Sequence, residues 1–225
     1  MWYLLQTGAR SAAENMAWDE VLLGAAPELG QPLLRFYSWS EPAASFGYFQ
    51  KISEVSQLTS LRPLIRRPTG GGLVPHEADW TYSLVFPPTH RWYQLKAVDS
   101  YERIHAWIQA AFARDGITTE LALSTRKELP GLCFIGAEQH DLLWHNRKIA
   151  GAAQRRSRTG LLIQGSIQSP PPALAKADWQ KAFCDVAHHH WGVEWIPFLP
   201  EPKWETRVKR LVEEKYASAR YNEAR

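Results

Sequence analysis

Hydrophobic and polar positions follow two regular periods along this chain. The segments Leu33–Trp39 and Trp80–Phe86 alternate between the two kinds of side chain and are rich in aromatic residues, which predicts β-strands. Ser11 and Glu14 form an S-x-x-E capping box, so we predict that a helix begins there. Apolar residues then recur at helical spacing, and Gly30 is expected to end the helix.

The same criteria predict a further set of short elements. Strands are predicted at Trp2–Leu5, Ala44–Phe49, Leu64–Arg67, Thr118–Leu123, Asp141–Trp144, Lys148–Gln154 and Leu161–Ile167, and helices from Asp99 onward and over Ala173–His189 and Glu201–Tyr216. A turn at His145-Asn146 is predicted between two of these strands, because asparagine suits a turn. Meandering strands combined with a few helices predict an α+β fold, with mixed, mostly antiparallel sheets flanked by helices.

Composition limits the possible partners and the compartment. The 225 residues suffice for one large domain, and 45% hydrophobic with 22% charged residues is typical of a soluble globular protein. A net charge of +3 does not indicate nucleic-acid binding, and no apolar run approaches the ~20 residues that span a membrane. Two cysteines without a CxxC pattern, and no signal peptide, favour the cytoplasm.

Three consecutive glycines, Gly70, Gly71 and Gly72, interrupt the segment Ile65–Phe86. Glycine has no Cβ and loses the most entropy on folding, so three together in an ordered segment need a reason. One reason is a backbone that must touch a ligand, and the alternative is an ordinary turn.

Two arginines, Arg66 and Arg67, lead into these glycines. Guanidinium groups beside a glycine-rich turn bind phosphate or carboxylate groups well. Adjacent strand residues point to opposite faces, so we expect one functional and one structural arginine.

His76 follows the glycines, with Glu77 and Asp79 beside it. Because histidine titrates near neutral pH, His76 is a candidate for proton transfer. The alternative is a histidine that braces the loop through hydrogen bonds.

Two residues farther along the chain are candidates for acyl chemistry. Cys133 lies in a loop-like LPGLCFIG segment, where it is either a nucleophile with a lowered pKa or an inert small hydrophobe. Lys148 leads into a run of small residues that includes Gly151 and Ala152, which would let a bound group approach closely. The alternative for Lys148 is a surface lysine on a strand. No metal site is expected, because the consecutive histidines of the HHH run diverge on a helix.

The segment RRPTGGGLVPHEADWTYSLVF resembles the signature of the lipoate-protein ligase A family, R-R-x-[ST]-G-G-G-x-V-x-H-D. The segments ENMAWDE, LLRFYSWSEPAASFGYFQ, RKIAGAAQRR and GLLIQGSI are also similar to that family, in the right order, from about Trp2 to Ile167. The resemblance implies the biotin/lipoate protein ligase catalytic-domain fold. It also implies one catalytic domain over residues 1–225, with a core at 1–168, a helical part at 169–225 and no accessory domain.

The family contains two kinds of enzyme, and the resemblance implies a different chemistry for each. Octanoyltransferases move octanoyl from acyl carrier protein through a cysteine thioester and use no cofactor, whereas ligases activate lipoate with ATP and Mg. Both load a lysine of an acceptor protein, a lipoyl domain or the glycine cleavage H protein. Cys133-Phe134 lies 15 positions before Lys148, which is similar to the transferase pattern. A non-catalytic lipoyl-domain-binding or acyl-binding relative is the third alternative.

The resemblance to the transferases assigns roles to individual residues. Cys133 would carry the acyl group, Lys148 would polarise its carbonyl, and His76 would assist proton transfer. The remaining residues of the implied acyl pocket are Arg67, Gly70, Gly71, Gly72, Gly151 and Ala152, with Trp39, Phe46 and Tyr82 lining a tunnel for the acyl chain.

The chain departs from the family pattern at several positions. The tyrosine-acid step after the cysteine is His140-Asp141, the Pro-Ser pair is missing, and Glu77 replaces the usual Asp. Gln164 stands where many relatives have a histidine.

Overall fold

The computed structural model describes residues 1–127 and 136–224. Cys133 therefore lies outside the described residues, and the role predicted for it stays a prediction.

An eight-stranded sheet forms the centre of the described structure. Its strands are β1 (Trp2–Arg10), β2 (Leu33–Trp39), β6 (Trp80–Phe86), β7 (Glu120–Leu121), β10 (Leu142–Trp144), β11 (Arg147–Ser157), β12 (Gly160–Ile167) and β13 (Trp195–Pro197). Their order is β13-β1-β2-β6-β12-β11-β10-β7, and only the β1 pairings with β2 and β13 are parallel. The predicted mixed, mostly antiparallel sheet is confirmed.

Two smaller sheets flank this one. The first has the order β4-β3-β5 and consists of β3 (Ala43–Phe46), β4 (Leu64–Arg66) and β5 (Val74–His76). The second pairs β8 (Arg126–Lys127) with β9 (Gly136–Ala137). The glycine-rich turn connects β4 to β5, so the small sheet fixes both of its ends.

The helices are α1 (Ala12–Leu29), α2 (Ile52–Leu58), α3 (Ala97–Arg114), α4 (Lys176–Trp191), α5 (Pro202–Leu211) and α6 (Ala219–Asn222), with a 3-10 turn at Arg91–Gln94 and a π-helical turn at Val212–Tyr216. The predicted capping box at Ser11 is confirmed, since its hydroxyl accepts from the Glu14 amide while the Glu14 carboxylate accepts from the Ser11 amide. Gly30 ends α1 with a left-handed φ of 65°.

Helices cover both faces of the central sheet. On β6, Tyr82, Leu84 and Phe86 point into a core shared with α3 and α4, whereas Val85 points into the core beneath α1. Because a strand alternates its side chains, burial of both sets means that both faces of β6 are covered. Every residue of β6 is accordingly buried, which fixes the strand at the centre of the molecule.

Several predicted boundaries were wrong. β1 runs to Arg10 rather than Leu5, because it pairs with β2 along its whole length past a register shift. α3 begins at Ala97 with Lys96 as its N-cap, which leaves Asp99 in the first turn, where a negative charge suits the helix dipole. Helix α2 was not predicted, since it is short and Val55 is its only buried residue.

No helix in the described ranges, 1–127 and 136–224, is long and apolar enough to cross a membrane.

Candidate active site

One cavity opens between the central sheet and the small β4-β3-β5 sheet. Its wall consists of Met16, Tyr37, Trp39, Ser45, Arg67, Val74, His76, Thr81, Lys148, Gly151, Ala152, Ala153, Gln164, Gly165 and Ser166. We call it the central cavity. It gathers small and apolar groups around a few polar ones, as ligand sites usually do.

Lys148 reaches the central cavity because a tight hairpin positions it. His145 and Asn146 have left-handed φ values of 49° and 61°, as a two-residue hairpin between β10 and β11 requires. The predicted turn at these two residues is confirmed. It places Lys148 on β11 one residue after the strand begins, opposite Leu143.

Asp141 pairs with Lys148. The Lys148 Nζ lies 2.7 Å from the Asp141 Oδ2, and both side chains are only 7% exposed. The same carboxylate oxygen accepts a hydrogen bond from the Glu138 amide. Burial raises the pKa of Asp141, and the ammonium group of Lys148 acts in the opposite direction. The departure at His140-Asp141 therefore supplies the carboxylate that holds the candidate lysine.

His76 is held on both sides of its ring. Its Nδ1 lies 2.8 Å from the Asp79 Oδ2, and its Nε2 lies 2.8 Å from the Ser45 Oγ. The indole of Trp39 stacks on the imidazole at 3.7 Å between ring centroids. These contacts leave the ring one orientation, at the wall of the central cavity.

Hydrogen bonding determines which nitrogen of His76 carries the proton. The guanidinium of Arg67 can only donate, and its Nη1 donates to the Ser45 Oγ at 3.3 Å. The Asp79 carboxylate can only accept, so the His76 Nδ1 carries a proton and donates it to Asp79, and in the neutral ring Nε2 then accepts from the Ser45 hydroxyl. Neutral His76 thus presents a basic Nε2 toward Ser45.

Asp79 is itself fixed by a short chain of polar side chains. The Ser166 hydroxyl donates to the Asp79 Oδ2 at 2.6 Å, and the Gln168 amide donates to Ser166 at 2.8 Å. Ser166 and Gln168 come from β12 and the residue after it, so the central sheet positions the carboxylate that orients His76.

Arg67 holds the glycine-rich turn in shape. Its guanidinium donates to the carbonyl oxygens of Gly70 and Gly72 at 2.6 to 3.1 Å and to the Ser45 carbonyl at 3.2 Å. Arg67 is 4% exposed and contributes to the wall of the central cavity.

The turn also makes a close backbone approach. Gly71 has a φ of 87°, which favours glycine, and its carbonyl group lies against Gly47. A Cβ at position 47 would lie 1.9 Å from the Gly71 oxygen.

We expect Gly47→Ala to lower the free energy of unfolding by about 1–3 kcal/mol, because one backbone must move away from the other. Urea denaturation measures the change. Gly70→Ala is the matched control, since a Cβ there has open space within 4 Å. Equal stability losses for the two variants would contradict this account of the turn.

Arg66 has a different role, as its position on the opposite face of the strand predicts. It is 1% exposed, and its side chain donates to the carbonyl oxygens of Tyr48, Gln50, Tyr221 and Asn222 at 2.7 to 3.1 Å. The Asn222 side chain in turn accepts from the Arg66 amide. Arg66 therefore ties helix α6 to the strand that leads into the glycine-rich turn.

Gln164 connects the glycine-rich turn to a buried ion pair. The Thr69 hydroxyl donates to the Gln164 Oε1 at 2.7 Å, and the Gln164 Nε2 donates to the Asp19 Oδ2 at 2.7 Å. Asp19 pairs with Arg35 at 2.8 Å, and both side chains are 0% exposed. The Gln164 side chain accepts through its oxygen and donates through its nitrogen, so it satisfies both neighbours.

The structure brings together part of the predicted site. Lys148, His76, Arg67, Gly151 and Ala152 all lie on the wall of the central cavity. The residues Gly70, Gly71 and Gly72 are not among those that line it.

Of the three aromatic residues predicted to line the acyl tunnel, Trp39 lies on the wall of the central cavity, and Phe46 and Tyr82 do not. Phe46 is 0% exposed and packs with Ala44, Val55 and Leu73 in a separate cluster, because strand alternation on β3 turns it away from the cavity. Tyr82 is also fully buried, in the core shared with α3 and α4.

Sequence reasoning missed Ser45 and did not assign a role to Asp141. The sequence did contain a signal for Ser45. It is a polar residue between the apolar Ala44 and Phe46 on a predicted strand, so its side chain must point to the opposite face from theirs. Asp141 appeared only as a departure from a pattern, because nothing in its local sequence indicates the lysine that it holds.

In the part of the chain that the structure describes, no group of three His, Cys, Asp or Glu residues is placed to hold a metal ion.

The central cavity thus combines a buried lysine, a run of small residues and a histidine held in one orientation. The chain belongs to the lipoyl protein ligase A/B catalytic domain family, whose pattern matches residues 11–170. It is 37% identical over 188 residues to the octanoyltransferase LipM of Carboxydothermus hydrogenoformans. That alignment covers 81% of this chain and 68% of the relative. The chain spans about two thirds of the length of the curated relatives it matches.

Solved structures show the same fold. A putative lipoate protein ligase from T. acidophilum superposes with a TM-score of 0.82 at 16% identity, over 99% of both chains. A lipoate-protein ligase A bound with ATP gives a TM-score of 0.78 at 17% identity, over 99% of this chain and 97% of the other. The predicted catalytic-domain fold is thereby confirmed as that of the lipoate-protein ligases.

Proposed function

We propose that this protein is an acyltransferase that moves an octanoyl or lipoyl group onto the acceptor lysine of a lipoyl domain, through a thioester on Cys133. The observation that carries the proposal is Lys148, a buried lysine on the wall of a cavity that three small residues keep open, in a chain whose relatives are octanoyltransferases. Residues 1–225 would act as one catalytic domain.

Lys148 serves as the group that stabilises the negative charge on the acyl oxygen. With 7% exposure its ammonium lies in a low-dielectric environment, where a fixed charge acts strongly on a developing oxyanion. Asp141 holds the ammonium in place at 2.7 Å before the acyl group arrives. The same positive charge would favour a thiolate at Cys133.

His76 serves as the proton acceptor when the lysine of the acceptor protein attacks the thioester. Its neutral Nε2 is basic, and the Asp79 carboxylate at Nδ1 stabilises the imidazolium that forms. The proton passes through the Ser45 hydroxyl, which lies between the cavity and the imidazole.

The acyl donor would be an acyl carrier protein, and the acceptor a lipoyl domain or the glycine cleavage H protein. The transferase route needs no cofactor, since the donor thioester is already activated. The acyl chain would lie against the part of the wall beside Lys148, where Gly151, Ala152 and Ala153 have small side chains.

An ATP-dependent lipoate ligase is the second candidate, and the ATP-bound structural neighbour favours it. That route would use Mg and would need Arg66 or Arg67 for the phosphates. The Arg66 guanidinium donates four hydrogen bonds to main-chain carbonyl oxygens, and the Arg67 guanidinium donates four to the carbonyl oxygens of Ser45, Gly70 and Gly72. A phosphate would have to displace those contacts, which favours the transferase.

The test is an incubation of the protein with octanoyl-carrier protein, followed by mass spectrometry of the intact chain and of its peptides. We expect an octanoyl adduct on Cys133 that disappears when an apo lipoyl domain is added, with the same mass increase appearing on that domain. Cys133→Ala should lose both events.

The control is Cys184→Ala, because Cys184 is the other cysteine and burial raises the pKa of its thiol to about 12. This variant should keep full activity. Loading of the lipoyl domain from lipoate and ATP by Cys133→Ser, without any adduct on the unmodified protein, would overturn the transferase proposal in favour of the ligase.

A further inference from the structure

Ser45, His76 and Asp79 form a continuous hydrogen-bonded chain at the wall of the central cavity. The Ser45 Oγ lies 2.8 Å from the His76 Nε2, and the His76 Nδ1 lies 2.8 Å from the Asp79 Oδ2. A serine, a histidine and a carboxylate connected in this order are the elements of a nucleophilic triad, which is recognised by geometry rather than by sequence order.

The small sheet directs the nucleophile and its base to the same side. Ala44 and Phe46 pack into a separate apolar cluster, so Ser45 points the other way. On β5, Val74 lies opposite Ser45 and His76 lies opposite Ala43, which puts Ser45, Val74 and His76 on one face. All three line the central cavity.

The protonation pattern suits a nucleophile. Arg67 donates to the Ser45 Oγ, the Ser45 hydroxyl hydrogen points to His76, and the His76 Nδ1 proton points to Asp79. Each group is therefore in the state from which His76 can remove the serine proton.

The positively charged guanidinium of Arg67 lies next to the Ser45 Oγ. The Arg67 Nη1 is 3.3 Å from the Ser45 Oγ, so its guanidinium can also reach an oxyanion that forms on a carbonyl carbon bonded to that oxygen. Arg67 is 4% exposed, which strengthens this electrostatic contribution.

We propose that Ser45 is a second nucleophile of the central cavity, activated by His76 and Asp79, and that it hydrolyses medium-chain acyl thioesters independently of Cys133. The activity goes beyond the transfer reaction, because its acyl acceptor is water.

The reaction balances in two steps. Ser45 Oγ forms a bond to the acyl carbon, its proton passes to the His76 Nε2, the carbon–sulfur bond breaks, and the thiolate leaves with that proton. A water molecule then attacks the acyl-serine ester and gives its proton to His76, the carbon–Oγ bond breaks, and the proton returns to Ser45. The products are a free fatty acid and a thiol.

The first experiment labels the protein with an octyl fluorophosphonate and maps the adduct by peptide mass spectrometry. The serine oxygen forms a bond to phosphorus and fluoride leaves. We expect one adduct on Ser45 in both the unmodified protein and Cys133→Ala. His76→Asn should slow labelling about 100-fold or more, because the general base is lost.

The second experiment measures the release of thiol from an octanoyl thioester by Cys133→Ala. We expect slow hydrolysis that disappears when Ser45→Ala is added to the same background. Loss of lipoyl-domain loading in Cys133→Ala with continued labelling of Ser45 would separate the two activities.

Three outcomes would overturn the proposal. The first is an adduct on Ser166, the other serine of the cavity wall, and the second is no adduct at all on the unmodified protein. The third is an equal hydrolysis rate with and without Ser45. Because mapping uses the unmodified protein, the result does not depend on the folding of a variant.

Discussion

Lys148→Met is expected to reduce the rate of acyl transfer to a lipoyl domain by about 10²–10³-fold, the usual loss when one oxyanion-stabilising group is removed. Methionine is unbranched and only one atom shorter than lysine, so the cavity wall should retain its shape. The ammonium charge disappears, and with it the stabilisation proposed for the acyl oxygen. Initial rates of octanoyl transfer, read by mass spectrometry of the acceptor, measure the effect.

The matched control is Lys181→Met on helix α4, where the side chain is 75% exposed and pairs with Asp185. This variant should transfer octanoyl at the unmodified rate. A second control is the urea midpoint of Lys148→Met, because removing the ammonium leaves Asp141 without its ion-pair partner. A folded Lys148→Met protein with a near-normal rate would refute the role assigned to this lysine.

Arg35→Met is expected to lower the free energy of unfolding by about 3–5 kcal/mol, because it leaves a buried carboxylate uncompensated. Arg35 pairs with Asp19 at 2.8 Å, and both side chains are fully buried. The guanidinium also donates to the Asn15 carbonyl at 3.1 Å and to its side-chain oxygen at 2.7 Å, and it lies 4.0 Å from the Tyr37 ring. Urea denaturation at pH 7 measures the loss.

The same substitution at a surface pair provides the comparison. Arg114 lies 3.6 Å from Asp185, and both side chains are partly exposed, so Arg114→Met should cost no more than about 1 kcal/mol. Adding Asp19→Leu to Arg35→Met should recover part of the loss, since both charges are then gone. A loss below about 1 kcal/mol in Arg35→Met would show that Asp19 finds another partner.

Local patterns predicted the parts of the fold that local forces determine. The alternation in Trp80–Phe86, the capping box at Ser11 and the turn at His145-Asn146 each depend on neighbours within a few residues, and each is present in the structure. The short helix α2 escaped prediction because it buries little apolar surface of its own.

The contacts that build the site could not be predicted in the same way. Lys148 was singled out from the small residues beside it, but its partner Asp141 lies across a hairpin with a register shift. Ser45 and His76 are 31 residues apart and meet only because β3 pairs with β5. Side-chain contacts of this kind depend on strand register, which the composition of either segment does not encode.

The contacts of Arg66 with helix α6 mean that the folded unit extends past the region matched by the family. The matched family region ends at residue 170, yet the arginine that opens its glycine-rich signature is held by main-chain groups of Tyr221 and Asn222. These contacts bridge 155 and 156 positions of sequence. A fragment cut at the end of the family match would therefore keep the whole signature and lose the scaffold on which its first residue depends.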